Sequence, residues 1–170
     1  MNSAQPTIRF LNPNDFEEVL SINNMNVPAL GILSLDKLRY LVTHALHSLV
    51  VDQGTILGFC ITFAPHAPYD SVNYQWFCNR YQRFTYLDRI AFTPQAQGMG
   101  FGKLLYRHVE CLMQEDNQAY PLCCEVNLQP PNPGSLRFHQ DLGFIRVEDI
   151  DHGDNHKVAM LKKDASNNSL

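Results

Sequence analysis

The chain has 170 residues, of which 45% are hydrophobic and 18% are charged, and its formal net charge is −4. This length suits a single hydrophobic core, and this composition is neither that of a disordered chain nor that of a membrane-spanning one. No apolar run approaches the roughly 20 residues of a membrane-spanning helix. The first residues also lack the basic start and apolar block of a signal peptide, so we expect a soluble, cytoplasmic protein without a membrane partner.

The basic residues and the histidines argue against two classes of binding site. The 13 Lys and Arg residues are scattered along the chain, unlike those of a surface that neutralises nucleic-acid phosphates. Among the histidines, His44 with His47 and His152 with His156 are close in sequence, but no Cys or carboxylate near the first pair completes a ligand set. We therefore expect no nucleic-acid partner, no metal site, and histidines that face solvent.

The pattern of apolar residues, caps and breakers predicts a mixture of strands and helices. In chain order we expect a strand at 7–11, a helix opened by Asn12 and Pro13 and running to about 23, a helix capped by Ser34 over 35–46, and a hairpin of strands 49–52 and 55–63. Then come a strand at 85–93, a helix from about 100 to 117, a strand at 123–128, a short helix at 136–143 and a hairpin of 144–150 and 157–163. This order predicts an α/β or α+β fold around one sheet, as one domain from 6 to 163 with a flexible tail at 164–170.

One long segment, 64–84, receives no helix or strand in this prediction. It is rich in aromatic residues and lies between the first hairpin and the next strand. Loops of this length usually carry function or cover part of the protein. We therefore expect it to be more than a connection.

The segment QAQGMGFGK, residues 95–103, places a glycine-rich turn between a strand and a helix. Such a turn predicts an anion site, because unpaired N–H groups and the positive end of the helix dipole face it. The Walker A pattern fails because Leu104 follows Lys103, and the dinucleotide pattern fails because Lys103 stands where its third glycine belongs. The alternative is a turn that only allows tight packing of the strand and the helix.

A third pattern, Q/R-x-x-G-x-G/A, is satisfied by residues 95–100. These residues resemble the pyrophosphate loop of the GNAT superfamily of N-acetyltransferases. A second segment, NPGSLRFHQDLGF at 132–144, resembles the family's N-x-x-A/S-x-x-F-Y-x-x-x-G-F signature. The resemblance extends from Thr7 to Lys163. Within the superfamily, the chain also resembles a subgroup of bacterial predicted acetyltransferases. It implies the GNAT fold, with a mixed sheet of six to seven strands and four helices in the order β-α-α-β-β-β-α-β-α-β-β.

The resemblance implies a coenzyme A site along one strand and the loop after it. The backbone of Ile90, Ala91 and Phe92 is expected to pair with the pantetheine arm of acetyl-CoA. The pyrophosphate is expected to bind the loop amides, which are those of Gln97, Gly98, Met99, Gly100, Phe101, Gly102 and Lys103. A side chain at the three glycines would occupy the volume of the phosphate or strain the backbone. Asn132 matches a position that often contacts the cofactor, and Asn127 is a further candidate.

The expected chemistry requires an aligned, unprotonated amine. An alkylammonium group has a pKa near that of Lys, about 10.4, so a base is useful near neutral pH. Glu125 and Asp88, on the strands that flank the implied cleft, are the candidate bases. Glu125 is the stronger candidate because a carboxylate within the apolar run CCEV needs a partner or a function. The alternative for Asp88 is an ion pair with Arg89.

His139 stands where the family usually has the Tyr that protonates the leaving thiolate. An imidazole can donate a proton, and its pKa near 6.5 suits acid or base chemistry at neutral pH. The resemblance therefore makes His139 the candidate acid. The alternative is that His139 is only a structural residue of its helix and that catalysis relies on proximity.

The acceptor pocket of this fold is shaped by the first two helices and by the segment before the central strand. This placement implies contacts from Asn24, Val27, Tyr69, Asp70, Tyr74 and Trp76, among which Asp70 would suit a cationic amine. The alternative for the aromatic residues is that they pack a long loop.

We expect an N-acetyltransferase that moves an acetyl group from acetyl-CoA to an amine of a small molecule, an amino acid or a peptide in a ternary complex. The alternative is a non-catalytic acyl-CoA-binding module, and homodimerisation is left open.

Overall fold

The computed structural model describes residues 5–115 and 120–165. Its strands are β1 (Thr7–Phe10), β2 (His47–Asp52), β3 (Ile56–Phe63), β4 (Thr85–Phe92), β5 (Leu122–Gln129), β6 (Ile145–Asp151) and β7 (Lys157–Lys163). Its helices are α1 (Phe16–Met25), α2 (Leu35–His44), α3 (Val72–Cys78), α4 (Phe101–Glu115) and α5 (Pro133–Asp141), and short 3-10 turns lie at Pro13–Asp15 and Pro94–Ala96. The expected tail at 164–170 is described only at 164 and 165.

The predicted helix caps form as the sequence indicates. Ser34 Oγ accepts a hydrogen bond from the amide of Lys37 at the start of α2. At the first helical turn, Asn12 Oδ1 accepts from the amide of Asn14, and the Asn12 amide donates to Asp15 Oδ2 at 2.8 Å. These bonds satisfy amides that a helix start leaves without acceptors. Ser34 caps α2, whereas Asn12 caps the 3-10 turn that precedes α1.

Helix α3 is the one element that the sequence prediction missed. It lies inside the segment 64–84, and Ser71 Oγ caps it by accepting from the amide of Tyr74. Tyr74 and Phe77 are fully buried against the sheet. Seven residues with three aromatics carry too little periodicity to predict a helix. With α3, residues 5–115 and 120–165 contain five α-helices, one more than the predicted four.

All seven strands form one mixed sheet in the order β1-β2-β3-β4-β5-β7-β6. Successive residues of the central strands point to opposite faces. Val50, Phe59 and Ile61 pack with α1, α2 and α3 on one face, whereas Leu49 and Cys60 pack with α4 on the other. Within the described residues, none of the helices combines the length and apolarity that spanning a bilayer requires.

The sheet opens between β4 and β5. These parallel strands pair only at Thr85 with Leu122 and at Tyr86 with Cys123. Beyond these pairs β4 continues beside β3 alone, while β5 continues beside β7. The carboxyl-terminal halves of the two central strands therefore diverge, and the gap between them is the place for a ligand.

Candidate functional site

A cleft of about 530 Å³ fills the gap between β4 and β5. The glycine loop with the start of α4 closes one side, α5 closes another, and the segment after α1 borders it with Asn26, Ala29 and Leu30. Most residues implied by the resemblance line it, namely Asp88, Ile90, Ala91, Phe92, Gln97, Gly98, Gly100, Phe101, Gly102, Glu125, Asn127, Asn132 and His139. Of the implied loop residues, Met99 and Lys103 do not line the cleft, and their side chains are exposed.

The glycine loop has the backbone that an anion cradle requires. Gly98 and Gly100 have φ angles of 76° and 86°, a region that L residues with a side chain rarely adopt. A Cβ atom at either position would meet no other atom within 4 Å, so both glycines face open space. The amides at the start of α4 have no intrahelical acceptors. The loop therefore fits a phosphate group, which those amides can bind.

Gly102 has a different role from the other two glycines. A Cβ atom there would lie 2.9 Å from Cζ of Phe138 on α5. The small residue therefore allows α4 and α5 to pack closely. The predicted clash with a phosphate does not explain this glycine, because Phe138 already occupies the space.

The strand β4 offers a free edge to the cleft. Ile90 and Ala91 pair with β3 on one side, and β5 has diverged on the other. Asn26 Nδ2 donates to the carbonyl of Phe92 at 3.1 Å and ties the end of α1 to this strand. An extended chain with amide groups can therefore pair with the open edge, as a pantetheine arm would.

Glu125 lies on the β5 wall of the cleft, with both carboxylate oxygens hydrogen-bonded. Oε1 accepts from Nδ2 of Asn73 at 3.1 Å, and Oε2 accepts from the Tyr86 hydroxyl at 2.6 Å. The pKa of Glu125 is raised to about 7: burial is the largest cause and the charge of Asp88 adds to it, while the hydrogen bonds from Tyr86 and Asn73 partly offset both. A carboxyl with this pKa exchanges protons near neutral pH.

Asp88 forms the ion pair that was the alternative to a catalytic role. Its Oδ2 accepts from Nε of Arg89 at 2.7 Å, and its Oδ1 accepts from the Tyr69 hydroxyl at 2.5 Å. The Asp88 side chain is 4% exposed and that of Arg89 is 10% exposed. Arg89 also donates to Oδ1 of Asn23 at 2.8 Å. The Asp88 carboxylate is therefore held in an ion pair, whereas Glu125 bonds only uncharged donors, which leaves Glu125 as the better candidate base.

His139 is held by its own helix and by α4. Its Nδ1 lies 2.7 Å from the carbonyl of Ser135, which can only accept, and its Nε2 lies 2.7 Å from the Tyr106 hydroxyl. The neutral ring therefore donates from Nδ1 and accepts at Nε2. Burial lowers the pKa of His139, so the ring is neutral near pH 7 and has no N–H to offer to the cleft. This geometry does not support the predicted acid role and favours the structural alternative.

The two asparagines of the cleft have structural partners. Asn132 Oδ1 accepts from the amide of Ser135 and caps α5. Asn127 Nδ2 lies 3.5 Å from the carbonyl of Ala29, across the cleft. Both side chains still line the cleft, so a cofactor contact from either stays a prediction.

A family model described as the acetyltransferase (GNAT) family matches residues 17–144. The chain belongs to the GNAT acetyltransferase family. Membership indicates acetyl-CoA as the cosubstrate, and the loop, the free strand edge and the divergent strands described above fit it. No protein among the curated sequences matches the chain.

Solved structures support the GNAT fold. Ard1 from Thermoplasma volcanium has a TM-score of 0.76 and 18% identity, over 95% of this chain and 98% of that one. The ribosomal-protein-S18-alanine N-acetyltransferase from Escherichia coli has a TM-score of 0.72 and 17% identity, over 98% and 99%. The acetyltransferase yncA from Salmonella typhimurium, solved with acetyl-CoA, has a TM-score of 0.69 and 16% identity, over 97% and 96%.

The residues expected to form the acceptor pocket of this GNAT protein are dispersed, and none of them lines the cleft. Tyr74 is fully buried, and its hydroxyl accepts from the amide of Ala67. Asn24 bonds the amide of Leu33, so it holds the segment between α1 and α2. These two side chains have structural roles, because their polar groups are already used inside the fold.

The other four lie at the surface or behind Asp88. Trp76 stacks with Arg80, whose guanidinium carbon is 3.9 Å from the ring centre, and Val27 is 44% exposed. The Asp70 side chain is 90% exposed and lies 3.6 Å from Nζ of Lys37, so it does not supply the expected acidic group. Tyr69 alone is close to the site, because its hydroxyl bonds Asp88.

The sequence prediction missed three polar residues around Glu125 in this GNAT site. Asn73 and Tyr86 bond Glu125, and Nε2 of His152 lies 2.8 Å from Oδ1 of Asn73. His152 was expected to face solvent. The signal for Tyr86 was its position on the strand beside β5, whereas Asn73 lies on the unpredicted helix and carried no signal. The described residues contain no group of three or more His, Cys, Asp or Glu side chains placed to share a metal ion.

Proposed function

We propose that this protein transfers the acetyl group of acetyl-CoA directly to a primary amine in a ternary complex. The observation that carries the proposal is that the glycine loop and the Glu125 carboxylate line one continuous cleft. The loop can hold the anionic part of the cofactor, and the carboxylate can receive the amine's proton. Direct transfer needs no covalent enzyme intermediate, because both reactants would bind between the same two strands.

The residues of the loop and of β4 would hold acetyl-CoA. The amides around Gly98 and Gly100 would bind the pyrophosphate, and the free edge of β4 at Ile90 and Ala91 would bind the pantetheine arm. Bound acetyl-CoA supplies an acetyl thioester whose carbonyl carbon forms the new bond to the amine nitrogen as the bond to sulfur breaks. Directed binding of both reactants in one cleft is itself a large part of the rate enhancement.

Glu125 would accept the proton that the amine loses. Its pKa of about 7 lies near the pH at which a general base works best in a cell. The carboxylate takes this proton either directly or through one water molecule. His139 and Asp88 are engaged elsewhere. We therefore propose that solvent water supplies the proton that the departing thiolate gains.

The charges of the cleft favour an amine without a neighbouring carboxylate. Among the described residues that line it, Arg89 is the only Arg or Lys, and its guanidinium already bonds Asp88 and Asn23. Glu125 adds a negative charge when it is ionised. A cationic amine is attracted to this site, whereas the carboxylate of a free amino acid finds no available counter-charge. The Escherichia coli neighbour acts on an alanine of ribosomal protein S18, and a peptide or protein amine fits the same charge pattern.

Thiol release from acetyl-CoA over a panel of amines tests the proposal. The most informative pair is alaninamide and alanine, which present the same amine without and with a carboxylate. We expect thiol release and a kcat/KM for alaninamide roughly tenfold or more above that for alanine, since an unpaired charge in the cleft costs over 1 kcal/mol. Binding of acetyl-CoA without turnover on any amine would contradict the proposal and support the non-catalytic module instead.

A further inference from the structure

Three residues from separate parts of the chain form a hydrogen-bonded row that ends on Glu125. Asn73, in the first turn of α3, donates from Nδ2 to Oε1 of Glu125 at 3.1 Å. Its Oδ1 lies 2.8 Å from Nε2 of His152. Because the amide oxygen can only accept, Nε2 of His152 is the donor. The row therefore runs from His152 through Asn73 to the carboxylate.

The turn between β6 and β7 holds His152 in place. The His152 amide donates to the carbonyl of His156 at 2.9 Å, and the His156 amide donates to the carbonyl of Gly153 at 2.8 Å. The two histidine rings stack with their centres 5.0 Å apart. A partly buried imidazole in a bonded turn is a defined partner, unlike a surface side chain that rotates freely. The Asn73 amide is consequently held with its nitrogen toward Glu125.

We propose that Asn73, oriented by His152, is a positioning residue that fixes the Glu125 carboxylate for its work as the base. The proposal rests on the function proposed for Glu125. Asn73 and Tyr86 occupy one lone pair on each oxygen, so the remaining lone pairs and the plane of the carboxylate are set. Without Asn73 the carboxylate keeps only the hydrogen bond from Tyr86, and its plane can turn.

The row also adjusts the pH range in which Glu125 is ionised. Groups from several elements surround this carboxylate. Strand β4 contributes Tyr86 and Asp88, the latter paired with Arg89, and the segment before α3 contributes Tyr69. Helix α3 contributes Asn73, which bonds His152, and β7 contributes the apolar Met160. Of these, Asn73 and Tyr86 lower the pKa of Glu125 by hydrogen bonding, whereas Asp88 raises it. Loss of the Asn73 donor therefore moves ionisation of Glu125 to higher pH.

The test is the pH dependence of kcat for acetyl transfer to alaninamide in the wild type and in matched variants. In Asn73→Leu, which keeps the size and removes the amide, we expect the acidic limb to move up by about one pH unit, as loss of a hydrogen bond to a charged group predicts. In His152→Phe we expect a smaller move in the same direction, because the Asn73 amide is no longer oriented. His152→Gln, which restores an N–H donor, should return the limb toward its wild-type position.

His156→Phe is the control, since it keeps an aromatic ring against His152 and leaves the Asn73 bond intact. We expect no movement of the limb in this variant. A uniform loss of rate in Asn73→Leu and His152→Phe with the limb at its wild-type pH would overturn the proposal and make both residues purely structural.

A second measurement separates this inference from the proposed function. Titration of the Glu125 carboxyl carbon by ¹³C NMR in the wild type and in His152→Phe requires no turnover. An upward move of the midpoint in the variant supports the row even if the wild type acetylates no amine in the panel. Identical midpoints in the two proteins would refute it even if acetyl transfer is fast.

Discussion

The two ends of the cleft are built differently: backbone groups form the end at the glycine loop, and side chains form the end at Glu125. The loop end is contained in residues 94–103, where two glycines with φ angles of 76° and 86° and the first amides of α4 form the anion site. At the opposite end Glu125 is surrounded by groups from β4, α3 and the turn between β6 and β7. A site made of consecutive backbone has a sequence pattern that can be read directly. A site assembled from distant side chains has none, because the fold alone brings them together.

The largest expected effect is the loss of acetyl-CoA binding when a negative charge is placed at Gly100. Gly100→Glu places a carboxylate in the anion cradle, where repulsion of like charges costs several kcal/mol. We expect acetyl-CoA affinity measured by calorimetry to fall roughly a hundredfold or more. Gly54→Glu is the matched control, because Gly54 has a φ angle of 88° and equally open surroundings but lies in the β2–β3 turn. Wild-type affinity in Gly100→Glu would contradict the assignment of the loop.

The side-chain end is tested by the pH dependence of stability in Glu125→Gln. The pKa of Glu125 is raised from 4.5 to about 7, so below the ordinary value both folded and unfolded states hold the proton and the fold carries no penalty. As pH rises the unfolded state ionises first, and the folded state loses stability until about pH 7. Relative to the wild type, Glu125→Gln should therefore gain a few degrees in Tm between pH 5 and pH 8.

The control for this effect is Glu115→Gln, which removes an exposed carboxylate from the end of α4. Its Tm relative to the wild type should be nearly the same at both pH values. If Glu125→Gln behaves like Glu115→Gln, the Glu125 carboxyl ionises normally and has no special place in the cleft.

A smaller effect distinguishes Gly102 on α4 from Gly134 on α5. Gly102→Ala forces a Cβ against the ring of Phe138, at 2.9 Å in the present packing. We expect a loss of about 1 kcal/mol in the free energy of unfolding, as for a modestly overpacked contact, with acetyl-CoA affinity within a few-fold of wild type. Gly134→Ala, where a Cβ meets nothing within 4 Å, should cost nothing. Equal stability of the two variants would show that Phe138 yields without cost.

The elements with strong local signals were predicted from the sequence. Helix α4 follows a strand and a glycine turn, and it buries Leu105, Val109 and Met113, whereas Leu104 of the same apolar pattern is 42% exposed. The final hairpin was predicted with β7 at the observed residues. Family membership, the mixed sheet and its seven strands are confirmed. Helix α4 and the final hairpin are each indicated by a pattern of a few consecutive residues, so the sequence alone predicts them.

The features that the sequence did not reveal depend on long-range contacts. Helix α3 has too few residues for a visible period, and its burial comes from the aromatic cluster around Tyr74 and Phe77. Strand β5 stops pairing with β4 after Cys123 but stays paired with β7 along its length, and no local pattern marks that point. The hydrogen bond at Nε2 of His139 comes from Tyr106, which lies 33 positions away. Such pairings are properties of the folded structure and have no local pattern.

The most direct test of the central claim is kcat as a function of pH, measured as thiol release with alaninamide for the wild type and Glu125→Gln. If Glu125 is the base, the wild-type rate rises with pH through an apparent pKa of about 7 and then levels off. In Glu125→Gln the plateau should fall by about 10²–10⁴, the usual contribution of a general base, and the inflection should disappear. A variant that keeps the wild-type rate and the same inflection would contradict Glu125 as the base.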